Sequence, residues 1–199
     1  MRVIVIGMSP YQSFLKLYKA RQGDYLIALD GFDEKVIPYE IDLAIGDFDT
    51  LEVPASAKKI IKYPKEKDET DFELALMAIK KLPHVEEVLV YNATGGRLDH
   101  FLINVRLLEK YYPLNIKIID EKNEISYLEK GRFAIKKAPY KYTSFIVVKD
   151  SIVSLKGFKY PLETKKITRL DTYTTSNEII DSEAIIKVDD GALILIKTK

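Results

Sequence analysis

The chain contains no cysteine, Cys 0 among 199 residues. That absence removes disulfides, thiolate catalysis and Cys-ligated zinc or iron–sulfur centres. An excess of one charge is missing too. Lys+Arg 31 against Asp+Glu 30 leaves a formal net charge of +1, which gives no support to a nucleic-acid coat or an anionic-membrane binder. The opening Met1-Arg2-Val3-Ile4-Val5-Ile6-Gly7 is too short an apolar run for a signal peptide or a membrane span and reads as a first strand. A soluble cytoplasmic protein without nucleic-acid or membrane partners is expected. No Gly-x-Gly-x-x-Gly follows that strand, where Gly7-Met8-Ser9-Pro10 stands, and Gly-x-x-x-x-Gly-Lys-Ser/Thr occurs nowhere. Hydride transfer on a dinucleotide and a phosphate-loop NTPase both lose weight. What is present is 47% hydrophobic and 31% charged, enough for a proper core and against wholesale disorder.

Strands and helices alternate through the first part. Val3–Ile6, Tyr25–Leu29, Leu43–Ile45, Ile60–Tyr63, Val88–Tyr91 and Ile116–Ile119 read as strands. Helical periodicity covers Pro10–Arg21, with Phe14, Leu15, Leu17 and Tyr18 as its stripe, and a helix opening at Thr70. Thr70 and Glu73 have capping-box spacing. A further helix over Leu98–Tyr111 carries Leu98, Phe101, Leu102, Val105 and Leu108 on one face. Past Asn123 the helical period disappears, and Phe133–Ile135, Ser144–Val148, Ile152–Leu155 and Thr168–Leu170 follow as short β-rich runs. Ala184–Val188 and Ala192–Ile196 flank Asp189-Asp190-Gly191, which predicts a hairpin. The fold class is therefore α/β: an N-terminal, mostly parallel sheet with helices on both faces over 1–123, then a smaller all-β sandwich domain over 124–199.

Three acidic or glycine-rich stretches fall where strands hand over to the next element, and such handovers gather at one edge of an open α/β sheet. In Gly46-Asp47-Phe48-Asp49-Thr50 the two acids lie two apart, a spacing that in extended chain puts both on one side, able to share a cation. Mg²⁺ takes oxygen ligands of this kind. In Lys67-Asp68-Glu69-Thr70-Asp71, Asp71 sits where it can reach a metal and Lys67 a phosphate. In Thr94-Gly95-Gly96-Arg97-Leu98-Asp99-His100, the glycines expose backbone amides at a helix start. Arg97 adds a permanently charged fork, and Asp99 and His100 occupy the first turn.

In this order and spacing, these stretches resemble thiamine pyrophosphokinase. Asp30-Gly31, Leu155-Lys156-Gly157-Phe158-Lys159-Tyr160-Pro161-Leu162 and Thr175-Ser176-Asn177-Glu178 extend the likeness over nearly the whole chain. The resemblance implies an α/β domain binding ATP and Mg²⁺, a β-sandwich domain, and a homodimer with thiamine in a cleft at its interface. Asp47, Asp49 and Asp71 would hold Mg²⁺, with Asp71, Arg97 and Asp99 catalytic. Asp30, Gly31, Lys67, Thr70, Gly95, Gly96, Arg97 and His100 would bind ATP, while Asp99, Tyr160, Thr175, Ser176 and Asn177 would bind thiamine. Tyr160 stands where the family often has Trp, and Phe32 where it has a second glycine. The general base is Asp71 or Asp99. Two other readings compete: the same transfer onto another hydroxymethyl heterocycle such as a pterin, or a non-catalytic dimeric nucleotide-binding module.

Overall fold

The computed structural model describes residues 1–7, 13–31, 38–49, 56–137 and 139–199. It divides into two compact units, Met1–Glu121 and Lys122–Lys199. Among the described residues no helix is long and apolar enough to cross a membrane.

Among the described residues the first unit has six strands: β1 Arg2–Ile6, β2 Tyr25–Leu29, β3 Leu43–Gly46, β4 Ile60–Lys62, β5 Glu87–Tyr91 and β6 Ile116–Ile119. Their order is β6-β5-β1-β2-β3-β4, and every pairing is parallel. Both faces of β1 and β2 are buried, so Val3, Val5 and Ile27 are as enclosed as Ile4, Ile6 and Leu26. That is why these strands read as continuous apolar runs without alternation. Helix α1, Ser13–Leu17, lies over one face. Phe14 and Tyr18 stack there at 4.7 Å and meet Tyr91 edge-on above Ile4, Ile6 and Leu26. The described helix stops at Leu17, short of the Arg21 expected, and residues 8–12 of that expectation lie outside the described residues. Leu15 of the expected stripe is exposed.

Helix α2, Asp71–Ile79, packs on β2 and β3 through buried Phe72, Leu76 and Ile79. Thr70 caps it, its Oγ1 accepting from Glu73 N at 3.2 Å. The reciprocal half of the capping box is absent, because the Glu73 carboxylate instead accepts from Tyr111 Oη at 3.1 Å and from Lys110. Helix α3, Leu98–Lys110, buries Leu107 and Leu108. Leu98 and Leu102, expected on its inner face, are 73% and 61% exposed: the stripe has the right period, but its N-terminal half meets no core within this unit.

The second unit contains β7 Asn123–Leu128, β8 Gly131–Lys136, β9 Tyr142–Lys156, β10 Leu162–Ile167 and β11 Glu183–Thr198, paired antiparallel. The predicted hairpin at Asp189–Gly191 does not form. β11 runs straight through it, and the register against β9 slips around Asp190. Gly191 has φ 86°, and a Cβ there would collide with Ser151 Oγ and the Asp150 carbonyl, so the Asp-Gly pair makes a bulge. Its partner β9 likewise joins the two runs expected as separate strands. β8 pairs the half of β11 before the bulge and β7 the half after it. One core takes Ile186 and Val188 from the first half and Leu193 and Leu195 from the second, as a sheet bent at the bulge permits. The strand expected at Thr168–Leu170 is a turn, Asp171 accepting from Thr168 N at 2.6 Å; the strand is the preceding β10.

Candidate active site

Four strand ends on the carboxyl edge of the parallel sheet carry the motifs: β2 leads into Asp30-Gly31, β3 into Asp47, β4 towards Lys67, and β5 towards Gly95. The chain adds strands outward from β1 to β4, then returns to place β5 on β1's other side. A reversal of strand order of this kind, here between β1 and β5, is where ligands bind in open α/β sheets. Two uncommon residues lie at that reversal. Gly7 follows β1 so close to β5 that a Cβ would lie 2.7 Å from the Asn92 carbonyl. Buried Asn92 has φ 55°, and its Oδ1 accepts from Phe14 N at 3.1 Å. Sequence reasoning gave Asn92 no role; an Asn between a strand and a glycine turn is the signal for a left-handed residue.

Asp30, Asp47 and Asp49 each offer a carboxylate oxygen, and these oxygens lie within 4.8 Å of one another. This trio differs from the expected Asp47, Asp49 and Asp71. Asp30, read from the resemblance as a nucleotide contact, takes the third place. Asp71 stands beside the trio, joined through Lys67, whose Nζ is 3.1 Å from Asp47 Oδ2 and 3.0 Å from Asp71 Oδ1. That buried Asp71 oxygen is in ion-pair range yet receives no well-directed hydrogen bond. Extended alternation is not what brings Asp47 and Asp49 together. Phe48 between them has φ 54°, and Asp49 N reaches back to Asp47 Oδ1 at 3.4 Å. Thr50 lies outside the described residues, as does Phe32.

Gly46 contributes by being small. It lacks a positive φ, so the requirement is space: a Cβ there would sit 2.5 Å from Asp30 Cβ. Hydrogen at that position lets the ends of β2 and β3 approach and sets the Asp30 carboxylate beside Asp47. Burial, with the charges of Asp47 and Asp71 nearby, pushes the Asp30 carboxyl up; its Oδ1 also accepts from Gly31 N at 2.7 Å. Burial works the same way on Asp47, but the Lys67 ammonium outweighs it and holds Asp47 below the usual carboxylate range. Neighbouring acids pushed apart in this way suit a hard cation, which favours all of them ionised. The oxygen-only donor set of the trio, with Asp71 Oδ1 beside it still lacking a hydrogen bond, fits Mg²⁺.

At the β5 end, Gly95 and Gly96 have φ 83° and 64°, left-handed backbone that favours glycine. Arg97 is the N-cap of α3 but makes no side-chain cap bond. Its guanidinium forks onto Asp99 instead, at 3.2 and 2.5 Å, and draws that carboxyl down to about 2. Both side chains are largely exposed, 71% and 61%. Arg97 and Asp99 thus face each other rather than two separate substrate groups. His100 is exposed beside them.

In the second unit Tyr160, an expected substrate residue, is 60% exposed. Asn177, expected to touch substrate, is buried and spends its amide on the backbone. Oδ1 accepts from Tyr160 N at 3.0 Å and from Glu178 N at 2.9 Å, and Nδ2 donates to the Tyr160 carbonyl at 2.8 Å. It positions the Tyr160 segment. Ser176 is exposed with φ 57°, and Thr175 Oγ1 donates to the Thr172 carbonyl at 3.1 Å.

Comparison with known proteins gives these arrangements a lineage. Residues 17–119 match the thiamin pyrophosphokinase catalytic domain, and residues 131–193 its vitamin B1 binding domain. A thiamine pyrophosphokinase of Bacillus subtilis is 39% identical over 178 residues, covering 83% of this chain and 81% of that protein. Among solved structures, a thiamine pyrophosphokinase from Bacillus subtilis superposes with TM-score 0.88, covering 100% of this chain and 99% of that one. The identity in that superposition is 29%. A thiamin pyrophosphokinase family protein from Enterococcus faecalis superposes with TM-score 0.84 at 27% identity, with 100% and 99% coverage. With both domain types matched in order and a relative of this identity across most of its length, the chain belongs to the thiamine pyrophosphokinase family.

Proposed function

We propose that the chain transfers the pyrophosphoryl group of ATP to the hydroxyethyl oxygen of thiamine, giving thiamine diphosphate and AMP. The observation that carries this reading is the convergence of Asp30, Asp47, Asp49, Lys67 and Asp71 at the edge that also bears the Gly95-Gly96 turn. The trio of acids would hold Mg²⁺, with Asp71 adjoining. Bound there, such an ion would supply neutralisation of polyphosphate charge and orientation of the phosphorus for in-line attack. Lys67 and the glycine-turn amides bind phosphate oxygens, and Arg97 turns from Asp99 to stabilise the charge that develops. One such preorganised contact is typically worth about 3 kcal/mol, or about 10²-fold in rate. The alcohol proton passes to Asp71 or Asp99.

The second unit supplies thiamine recognition. Tyr160 stacks on the cationic ring, as aromatic faces do with quaternary nitrogen, and Ser176 and Thr175, next in sequence to Asn177, offer hydroxyls. A sandwich architecture for this unit, a homodimer with thiamine between subunits, and a cytoplasmic location complete the proposal, supported by the family resemblance. Tyr160 and its surroundings favour thiamine over a pterin acceptor.

The test is incubation with ATP, Mg²⁺ and thiamine followed by mass detection of thiamine diphosphate and AMP. Asp47→Ala and Asp49→Ala should each lower turnover at least about 10²-fold with melting temperature retained. Binding of ATP without AMP release would favour the non-catalytic module instead, and full activity in both variants would remove the acids from the mechanism.

A further inference from the structure

Among the described residues, Lys67 is the one cation set between two of the site's carboxylates. Its side chain is only 12% exposed, and its Nζ lies 3.1 Å from Asp47 Oδ2 and 3.0 Å from Asp71 Oδ1. The four acids Asp30, Asp47, Asp49 and Asp71 crowd one strand edge: oxygens of the first three lie within 4.8 Å of one another, and Lys67 links Asp47 to Asp71. Like charges this close repel strongly away from bulk water, so a folded site without a bound cation needs an internal one. Lys65 does not meet that need, since it pairs with Asp49 from a position 77% exposed and is screened there. Asp71 Oδ1 is buried and depends on the Lys67 ammonium alone among the described partners, without a hydrogen bond.

We propose that Lys67 is the resident cation of the acidic cluster: it holds Asp47 and Asp71 together in the metal-free protein and competes with the divalent cation for them. The proposal rests on the reading above of the cluster as a cation site. A divalent ion arriving at the Asp47 carboxylate meets an ammonium already bound to it, and the two positive charges repel. A lysine, with its flexible four-carbon stem, can withdraw without moving the backbone. A polyphosphate gives it a new anionic partner nearby. Metal and nucleotide therefore bind better together than either does alone, because each relieves the other's conflict with Lys67, and such coupling is reciprocal. Removal of the lysine has two effects of opposite sign. It weakens the metal-free protein, and it strengthens binding of a bare divalent ion.

The experiment uses Mn²⁺ alone as the probe, its free concentration read by electron paramagnetic resonance, with thermal melting in EDTA and in Mn²⁺. Lys67→Met should bind Mn²⁺ about tenfold more tightly than wild type, the scale of losing one like charge a few ångströms away. Its melting temperature should fall in EDTA and recover on adding Mn²⁺ by more than wild type gains. Lys67→Arg, which keeps the charge, should keep wild-type Mn²⁺ affinity, and Lys67→Gln replaces the methionine variant if that one does not fold. Unchanged or weaker Mn²⁺ binding in the neutral variants, with wild type binding normally, overturns the role of Lys67 and leaves the cation site standing. A wild-type protein that takes up no Mn²⁺ overturns both.

Discussion

Gly46→Ala is the sharpest probe of how the acidic trio is assembled. The new Cβ would sit 2.5 Å from Asp30 Cβ and 3.2 Å from Asp30 Cα, whereas carbon atoms prefer about 3.5–4.0 Å. The ends of β2 and β3 must part by roughly 1 Å to relieve this contact. Overpacking of this size costs about 1–3 kcal/mol. At about 2 kcal/mol, the melting temperature of a chain this long falls by about 4–8 °C. The functional loss is larger, because the displaced atom bears the Asp30 carboxylate; misplacement of about 1 Å at a reacting centre costs about 10²-fold in rate. The assay is product formation from ATP, Mg²⁺ and thiamine beside a melting scan, and a double substitution separates the two effects. Asp30→Gly in the Gly46→Ala background removes the clashing Cβ, so melting should recover towards that of Asp30→Gly alone while turnover stays low. Wild-type melting and turnover in Gly46→Ala would refute the close-approach argument outright.

Further expectations concern other parts of the molecule. The Asp24 carboxylate accepts from Arg2 at 2.8 and 2.5 Å, from Tyr18 Oη at 2.8 Å and from Arg21 N at 2.9 Å. Burial pushes it up, but these partners outweigh burial and hold it below the usual carboxylate range. A depressed folded-state value means its stabilisation is complete above about pH 4 and lost as pH falls through that lower value. Asp24→Asn should therefore cost about 3 kcal/mol at pH 7, and the gap from wild type in denaturant titrations should narrow towards pH 2; a constant gap contradicts the reasoning. Asn177→Ala should raise KM for thiamine several-fold with little change in kcat, since it frees the Tyr160 backbone at about 1–3 kcal/mol; an equal fall in kcat would indicate direct contact instead. Gly191→Ala should lower the melting temperature by at least about 5 °C through strain at the bulge, and a neutral result would mean β11 does not need it.

The fold was legible wherever a signal was local. The apolar runs at Val3–Ile6 and Tyr25–Leu29 lie inside or match their strands, because a strand covered on both faces must be apolar throughout. Thr70 was readable as a cap because it meets its partner, the Glu73 amide, three residues along the chain. Signals that depend on a distant partner were read less well. Asp190-Gly191 has the composition of a turn, and only the passage of β9 at Ser151 makes it a bulge. Glu73 was free to complete a capping box until Tyr111 and Lys110 came within reach. The period of α3 was right, but which part of its stripe finds a core depends on what packs beside it.

The candidate site divides along the same line. The chain alone determined that acids, glycines and an arginine follow strand ends, and a parallel sheet delivers strand ends to one edge. Packing decided which of them meet. Asp30 joins Asp47 and Asp49 because a missing Cβ at Gly46 lets neighbouring strands close up, while Lys67 draws Asp71 in from the start of α2. Asn177 is spent on Tyr160's backbone because the segments before and after β10 lie side by side. Local chemistry depends on near neighbours in the chain and so can be read along it, whereas which distant segments meet is set by how their side chains pack together.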